Sequence, residues 1–132
     1  MASIHKEISL ASSRAQVWDV VRDVGAVHTR FAPGFVVDTV MEDGARMVTF
    51  SNGMVVREVI VDVSDERRRL AYSVRSERLS HHNASFQVLP ENGGSRLVWI
   101  ADVLPDEAAV NVAGMMDEGL KAVRKAIDGV MA

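Results

Sequence analysis

The sequence predicts an α+β fold in which a curved, seven-stranded antiparallel sheet wraps around a long C-terminal helix, with two short helices after the first strand. Three observations support this prediction. Seven segments have alternating or β-branched composition and are separated by turn residues. A helical period of apolar residues follows the first of these segments, and a longer one fills the chain after Pro105. With 132 residues, a single domain spanning 1–132 is expected.

The first strand is predicted at "SIHKEISL", whose apolar residues share one face. "ASSRAQVWDVVRDV" then changes to helical spacing, with valines recurring every three or four residues. Ser12 or Ser13 can cap the free backbone N–H groups at the start of this helix. We expect the helix to end at Gly25 and "AVHTRF" to form a second short helical turn before the "PG" pair.

Six further strands follow, and short turns such as "EDG" and "NG" favour antiparallel neighbours. They are "FVVDTVM", "ARMVTFS", "MVVREVIVDV", "RRLAYSVRSE", "HHNASFQVL" and "SRLVWIADV". After Pro105, "DEAAVNVAGMMDEGLKAVRKAIDGVMA" predicts one helix capped at Asp106 or its neighbour. Its apolar stripe consists of Ala109, Val112, Met116, Leu120, Val123, Ile127 and Val130. One helix cannot cover seven strands, so the sheet must curl around it and can leave a cavity.

Composition excludes several classes of function. A net charge of -3 provides no field that would attract nucleic acid, so no nucleic-acid partner is expected. No apolar run approaches the roughly 20 residues of a membrane span, and the N-terminus lacks a secretory signal pattern, so we expect a cytoplasmic protein without integral membrane insertion. Cysteine is absent, and neither H-x-H nor HExxH spacing occurs, so no metal and no cofactor are predicted. Oligomeric state is left open.

Alternation also assigns an inward face to three strands. Neighbouring strand residues point to opposite faces, so His81 and His82 cannot bind one ion together. His82 belongs to the apolar, inward face and His81 to the solvent face. The inward positions by this test are Leu70, Tyr72 and Val74 in one strand, His82, Ala84, Phe86 and Val88 in the next, and Leu97, Trp99 and Ala101 in the last.

The strand "MVVREVIVDV" is apolar on both faces, so its pattern leaves two orientations open. If Met54, Val56, Glu58 and Ile60 point inward, a carboxylate lines the cavity. If Val55, Arg57, Val59 and Val61 do, a guanidinium lies there instead.

The element order resembles the helix-grip superfamily, which includes START-type lipid-binding domains, the birch-pollen allergen family and bacterial polyketide cyclase/dehydrase-like proteins. The resemblance rests on "SSRAQVWDVVRDVGAVHTRFAPG", "DERRRLAYSV", "GGSRLVW" and the C-terminal amphipathic helix. The bacterial branch fits best, because the chain is shorter than a START domain and has only "EDGA" where the allergen branch has a glycine-rich loop. Membership implies the fold and the binding of small hydrophobic or amphipathic molecules, but no single reaction.

The resemblance of "VREVIVDVSDERRRLAYSV" to the superfamily's equivalent hairpin favours the inward orientation of Glu58. Glu58 and His82 would then be two ionisable groups on one cavity, and burying such groups is costly unless they are paired, neutral or in contact with water or ligand. His28 is expected near the cavity mouth. The other candidate ligand-binding residues are Phe31, Phe35, Phe50, Val56, Tyr72, Val74, Ala84, Phe86, Trp99, Met115, Met116 and Leu120.

The favoured function is binding of a small hydrophobic or amphipathic ligand, whether aromatic, polyketide-like or lipid-like, between the sheet and the C-terminal helix. The alternative is a polyketide cyclase/dehydrase-type enzyme that uses Glu58 and His82 as an acid/base pair, with Tyr72 as a hydrogen-bond donor. A third hypothesis is regulation of a partner protein through the sheet edges. The first two differ in whether Glu58 and His82 converge within hydrogen-bond reach of one open space.

Overall fold

Seven antiparallel strands form one sheet, in the order β1-β7-β6-β5-β4-β3-β2, in the computed structural model, which describes residues 1–129. The strands are β1 (Ala2–Leu10), β2 (Val36–Glu42), β3 (Ala45–Phe50), β4 (Val55–Ser64), β5 (Arg69–Arg75), β6 (His81–Glu91) and β7 (Gly94–Leu104). The first strand pairs with the last, so β1 and β2 lie at opposite edges of the sheet. The predicted architecture is confirmed.

The first helix, α1 (Arg14–Val21), begins at a capping box. The backbone N–H of Gln16 donates to Ser13 Oγ at 3.2 Å, and the N–H of Ser13 donates to Gln16 Oε1 at 3.0 Å. Two free N–H groups are satisfied in this way, which fixes where the helix starts. Of the two serines that the sequence offered, Ser13 is therefore the cap.

The prediction that α1 continues to Gly25 is wrong, because the helix ends at Val21. The N–H of Val24 bonds to the carbonyl of Arg22 and that of Ala26 to the carbonyl of Asp23, so tight turns replace helical bonding. One turn of π-helix, the π turn, follows at Val27–Phe31 and is the second short helix of the prediction.

The long helix, α2 (Ala109–Asp128), is preceded by a 3₁₀ turn at Asp106–Ala108. The predicted cap at Asp106 or its neighbour is wrong, since no side chain caps either the turn or the helix. The Asp106 carboxylate instead lies 2.9 Å from the N-terminal amino group of Met1. Gly129, at φ 66°, ends the helix in the left-handed conformation that glycine adopts without strain. Val130 of the predicted stripe lies outside the described residues.

The concave face of the sheet packs against α2, α1 packs against β6 and β7, and the π turn packs against β2 and α2. Gly119 allows a close approach of α2, because a Cβ atom there would lie 3.1 Å from Trp99 Cζ3 and 3.3 Å from Phe35 Cε2. Within residues 1–129, no helix combines the length and the apolar character needed to cross a membrane.

Candidate functional site

A cavity of about 430 Å³ lies between the concave face of the sheet and α2. Its size falls within the range of small-molecule binding sites, roughly 300–1,000 Å³. Strands β2 to β7, the π turn and α2 all contribute to its wall, which is mainly apolar. The wall includes exposed residues such as Arg78, Glu107 and Asn111, so the cavity opens to the surface between the β5–β6 loop and the start of α2.

Four aromatic rings form the inner wall. The rings of Phe86 and Trp99 are stacked with centroids 4.5 Å apart, and the Tyr72 ring also stacks with Phe86, at 6.0 Å. Phe31, from the π turn, meets the Phe86 ring edge-on at 5.0 Å. Trp99 Nε1 donates a hydrogen bond to the Tyr72 hydroxyl oxygen at 3.0 Å. The inner wall is therefore an aromatic surface on which the indole N–H of Trp99 is already paired.

A buried ion pair borders the same inner wall. Arg46 Nε donates to Glu58 Oε1 at 2.7 Å, and the two residues are only 4% and 8% exposed. Arg46 Nη1 also donates to the carbonyl of Val24 at 3.2 Å, and its guanidinium lies 5.3 Å from the centre of the Tyr72 ring. These partners offset part of the cost of burying two charges. The structure thus places Glu58, not Arg57, on the cavity wall.

Arg46 is the main functional candidate that the sequence reasoning missed. It lies directly opposite Glu58 in the β3–β4 register. The signal was present in "ARMVTF", where Arg46 alternates with Val48 and Phe50, all three of which line the cavity. Applying the alternation test to β3 would have placed the guanidinium inward.

The Tyr72 hydroxyl is a neutral group at this wall. Burial raises the pKa of Tyr72 far above its ordinary value, and the negative charge of Glu58 raises that pKa further. The hydroxyl therefore stays protonated and can donate one hydrogen bond while it accepts one from Trp99.

His82 is half-buried and lines the cavity, whereas His81 does not. Burial lowers the pKa of His82 below its usual 6.5, and the nearby charge of His81 lowers that pKa further. The imidazole is accordingly neutral at pH 7. Glu58 is opposed by Val74 of β5, and β6 with His82 lies beyond that strand, so the backbones of Glu58 and His82 are separated by about 10 Å.

Glu58 and His82 therefore share one cavity without forming a pair. Among residues 1–129, Glu58 accepts its side-chain hydrogen bond from Arg46, and none joins it to His82. The arrangement offers one polar point at the ion pair and a separate one at the imidazole.

Most of the predicted ligand-binding residues lie on the cavity wall. Those on the wall are Phe31, Phe35, Phe50, Val56, Tyr72, Val74, Phe86, Trp99, Met115 and Met116. Near the mouth, Phe35 and Phe50 meet edge-on with centroids 5.3 Å apart. The apolar wall is completed by residues outside the predicted ligand-binding set, among them Val27, Ala32, Val36, Val48, Met54, Val112, Gly119 and Val123.

Three predicted residues lie outside the wall. Ala84 has a short side chain and is flanked on the same face by Phe86 and, across the strand pair, by Tyr72, both of which project further. Leu120 of α2 is turned about 100° from the wall residue Gly119 into the core. His28 is absent from the wall too, because Val27 and Phe31 are the π-turn residues that face the cavity.

The described part of the chain, residues 1–129, contains no group of three or more His, Asp or Glu side chains that could hold a metal ion.

The sequence matches one protein family over residues 1–129, and that family is described as "Polyketide cyclase / dehydrase and lipid transport". The match covers nearly the whole chain, so the protein belongs to this family. No curated protein matches the sequence.

Solved structures share the fold at low sequence identity. Protein XoxI from Bacillus cereus is 20% identical with a TM-score of 0.85, covering 96% of both chains. A START superfamily protein from Mycobacterium smegmatis is 15% identical with a TM-score of 0.73, covering 96% of this chain and 94% of its own. Norcoclaurine synthase from Thalictrum flavum, solved with dopamine and hydroxybenzaldehyde, is 18% identical with a TM-score of 0.70, covering 99% of this chain and 88% of its own. At these identities the likeness concerns the helix-grip fold.

Proposed function

We propose that this member of the polyketide cyclase/dehydrase and lipid transport family binds one small hydrophobic or amphipathic molecule, aromatic, polyketide-like or lipid-like, in the cavity between the sheet and α2. The observation that carries the proposal is the mainly apolar cavity of about 430 Å³, open at one end, with a buried Arg46–Glu58 pair on its inner wall. An apolar molecule that enters would gain the hydrophobic free energy of leaving water, and the polar point would orient it.

Binding is favoured over acid/base catalysis because Glu58 is already engaged. Its Oε1 already accepts a charge-assisted hydrogen bond from Arg46 at 2.7 Å, so this oxygen is held by a partner within the protein. A concerted role with His82 would also require both groups to reach the same substrate atom or neighbouring ones, and β5 separates them.

The test uses N-phenyl-1-naphthylamine, an uncharged probe that becomes fluorescent in apolar surroundings. A Trp18→Phe background leaves Trp99, on the cavity wall, as the single tryptophan donor for energy transfer to the probe. We expect saturable binding of one probe per chain, with quenching of Trp99 emission.

Two neighbouring residues of β4 provide a matched pair of variants. Val56→Phe fills part of the cavity and should weaken probe binding at least tenfold, because Val56 lines the wall. Val55→Phe makes the same change on the opposite face, where Val55 is 53% exposed, and should leave binding unchanged. Equal effects of the two substitutions, or no saturable binding at all, would refute the proposal.

A second candidate function, an enzyme of the cyclase/dehydrase type, is supported by one observation. His82 is neutral at pH 7 because burial lowers its pKa, so it is available as a base toward a ligand in the cavity. The test is exchange of the α-protons of 2-tetralone, an aromatic ketone, in D₂O followed by NMR. Catalysis predicts exchange that the protein accelerates and that His82→Gln abolishes, whereas binding alone predicts no acceleration.

A further inference from the structure

We propose that the Arg46–Glu58 pair selects an uncharged aromatic ligand carrying a hydroxyl group, and discriminates against the carboxylate that a fatty or aromatic acid would bring to the same place. This inference rests on the proposed binding function and names the ligand class.

Glu58 has one carboxylate oxygen that is free to accept a hydrogen bond. Arg46 donates to Oε1, while Oε2 accepts no hydrogen bond from any group in residues 1–129. Oε2 is also not among the buried polar atoms that lack a partner, and Glu58 lines the cavity, so this oxygen faces the open space. An ionised carboxylate oxygen only accepts hydrogen bonds, so its complement on a ligand is an O–H or N–H donor.

The Arg46 guanidinium supplies a donor beside that acceptor. Nε donates a hydrogen bond to Glu58 and Nη1 donates one to the carbonyl of Val24. Nη2 donates to no atom in the described part of the chain, and it too is not among the buried polar atoms that lack a partner, so it is accessible from the cavity. A hydroxyl group can donate to Glu58 Oε2 and accept from Arg46 Nη2 at the same time. An ether or ketone oxygen can satisfy only the guanidinium.

The charge balance argues against an acid. The pair sums to zero, and the other polar groups of the inner wall are neutral: burial keeps Tyr72 protonated and His82 unprotonated. The remaining charged side chains of the cavity, Arg78 and Glu107, are exposed at its mouth. A ligand carboxylate at the inner wall would therefore be a buried charge without a counter-ion and would lie close to Glu58, which is costly.

The aromatic wall and the volume limit the rest of the ligand. Phe86 stacks with both Trp99 and Tyr72, so these three rings give the inner wall an aromatic surface, which favours contact with an aromatic ligand. An apolar cavity of about 150 Å³ holds one benzene molecule, so about 430 Å³ accommodates roughly two or three rings.

The test is isothermal titration calorimetry with three naphthalenes that differ in one substituent. At neutral pH 2-naphthol is an uncharged donor, 2-methoxynaphthalene is an acceptor only, and 2-naphthoate is an anion. Hydrogen bonds to charged groups are strong enough that we expect 2-naphthol to bind tighter than either analogue by on the order of tenfold to a hundredfold.

Glu58→Gln should reverse this order. The substitution leaves Arg46 as a cation without its counter-ion, so 2-naphthoate should gain affinity while 2-naphthol loses it. The matched control is Glu91→Gln, which removes the carboxylate from another pair, Arg96 Nε to Glu91 Oε2 at 2.9 Å, outside the cavity wall. This control should keep the wild-type order.

A second variant keeps the test decisive if Glu58→Gln does not fold. Replacing a buried ion pair by apolar residues is often neutral for stability, so Arg46→Met with Glu58→Leu should fold and should bind 2-naphthol and 2-methoxynaphthalene equally. The inference is overturned if the three compounds bind wild type alike, or if the order survives in both cavity variants, or if 2-naphthol fails to bind while N-phenyl-1-naphthylamine binds. Failure of every compound, including that probe, would instead refute the binding function itself.

Discussion

The space between the sheet and α2 is solidly filled in one half and open in the other. In the packed half, under α1, the side chains of Leu10, Val17, Leu70, Val88 and Leu97 are at most 4% exposed and touch one another through aliphatic surfaces. In the cavity half, under the π turn, aromatic rings and one ion pair surround empty space. The same strands supply both halves, since β5 contributes Leu70 to the first and Tyr72 to the second.

The difference shows that the two halves are stabilised by different forces. Close aliphatic packing gives the packed half its hydrophobic and dispersion free energy. In the cavity half, aliphatic residues such as Val48 and Met116 belong to the same core cluster but border the cavity on one side, and the polar groups Arg46 and Glu58 are stabilised by their pairing with each other. The two ends of one core thus serve stability and ligand binding separately. Mutations in the two ends should therefore lower the unfolding free energy for different reasons and by different amounts.

Breaking the ion pair should produce the largest change in stability. Glu58→Leu leaves Arg46 buried without its partner and should lower the free energy of unfolding by about 3 kcal/mol. Adding Arg46→Met should restore stability to within about 1 kcal/mol of wild type, because no unpaired charge remains. Urea denaturation of the two single variants and the double variant measures this coupling.

The surface pair of Glu91 with Arg96 is the control for that cycle. Glu91→Leu removes the carboxylate from a solvent-exposed pair, and such pairs contribute little to stability. The loss of unfolding free energy should therefore be much smaller than in Glu58→Leu. If Glu58→Leu proved no more destabilising than Glu91→Leu, the cavity half would not depend on its ion pair.

A valine-to-alanine comparison separates the two halves by packing. Val88 in the packed half and Val48 on the cavity wall are 0% and 1% exposed. Val88→Ala removes methyl groups from close contact on all sides and should cost about 2 kcal/mol of unfolding free energy. Val48→Ala should cost less than half as much, because part of its surface already borders open space. Equal losses in thermal or urea unfolding would mean that the cavity half is packed like the other half.

The smallest expected effect is a pH dependence from His82. Its pKa in the folded protein is below the usual 6.5 because of burial, so the unfolded chain binds more protons between these two pKa values. The contribution of His82 to the unfolding free energy is therefore fully present above about pH 6.5 and decreases as the pH falls toward the folded-state pKa.

His82→Gln should therefore flatten the fall in unfolding free energy between about pH 7 and pH 5, measured by urea titration at each pH. His5→Gln, on the exposed outer face of β1, is the control and should flatten it less. A steeper fall in His82→Gln than in wild type would contradict the direction of the pKa shift.

The fold was predictable from the sequence because its local signals are consistent with one another. Alternation in seven segments, a serine cap and an amphipathic C-terminal stripe all point to the same architecture. The errors concern helix ends, where backbone turns at Val24 and Ala26 and a 3₁₀ turn at Asp106–Ala108 replace the expected Gly25 stop and side-chain cap. Such ends depend on tertiary contacts, including the bond from Arg46 to the Val24 carbonyl.

The site was less predictable because it depends on strand register. A two-residue turn at Asn52–Gly53 would set Arg46 opposite Val59, whereas the observed loop between Phe50 and Met54 sets it opposite Glu58. One residue of register thus decides whether the carboxylate has a partner. For the same reason, the sequence could suggest Glu58 and His82 as cavity residues but could not show that Arg46 donates a hydrogen bond to the Glu58 carboxylate.

The most direct measurement of the central claim, that a small molecule occupies the cavity half and not the packed half, uses the two indole N–H signals in a ¹⁵N NMR spectrum. Trp99 lines the cavity, whereas Trp18 of α1 is buried in the packed half, and its indole N–H donates a hydrogen bond to Asp65 Oδ1 at 2.8 Å. Trp18→Phe identifies the two signals by removing one of them. During titration with 2-naphthol, the Trp99 signal should shift in a saturable manner and the Trp18 signal should stay in place. A shift of Trp18 alone, equal shifts of both signals, or no shift of either would contradict the claim.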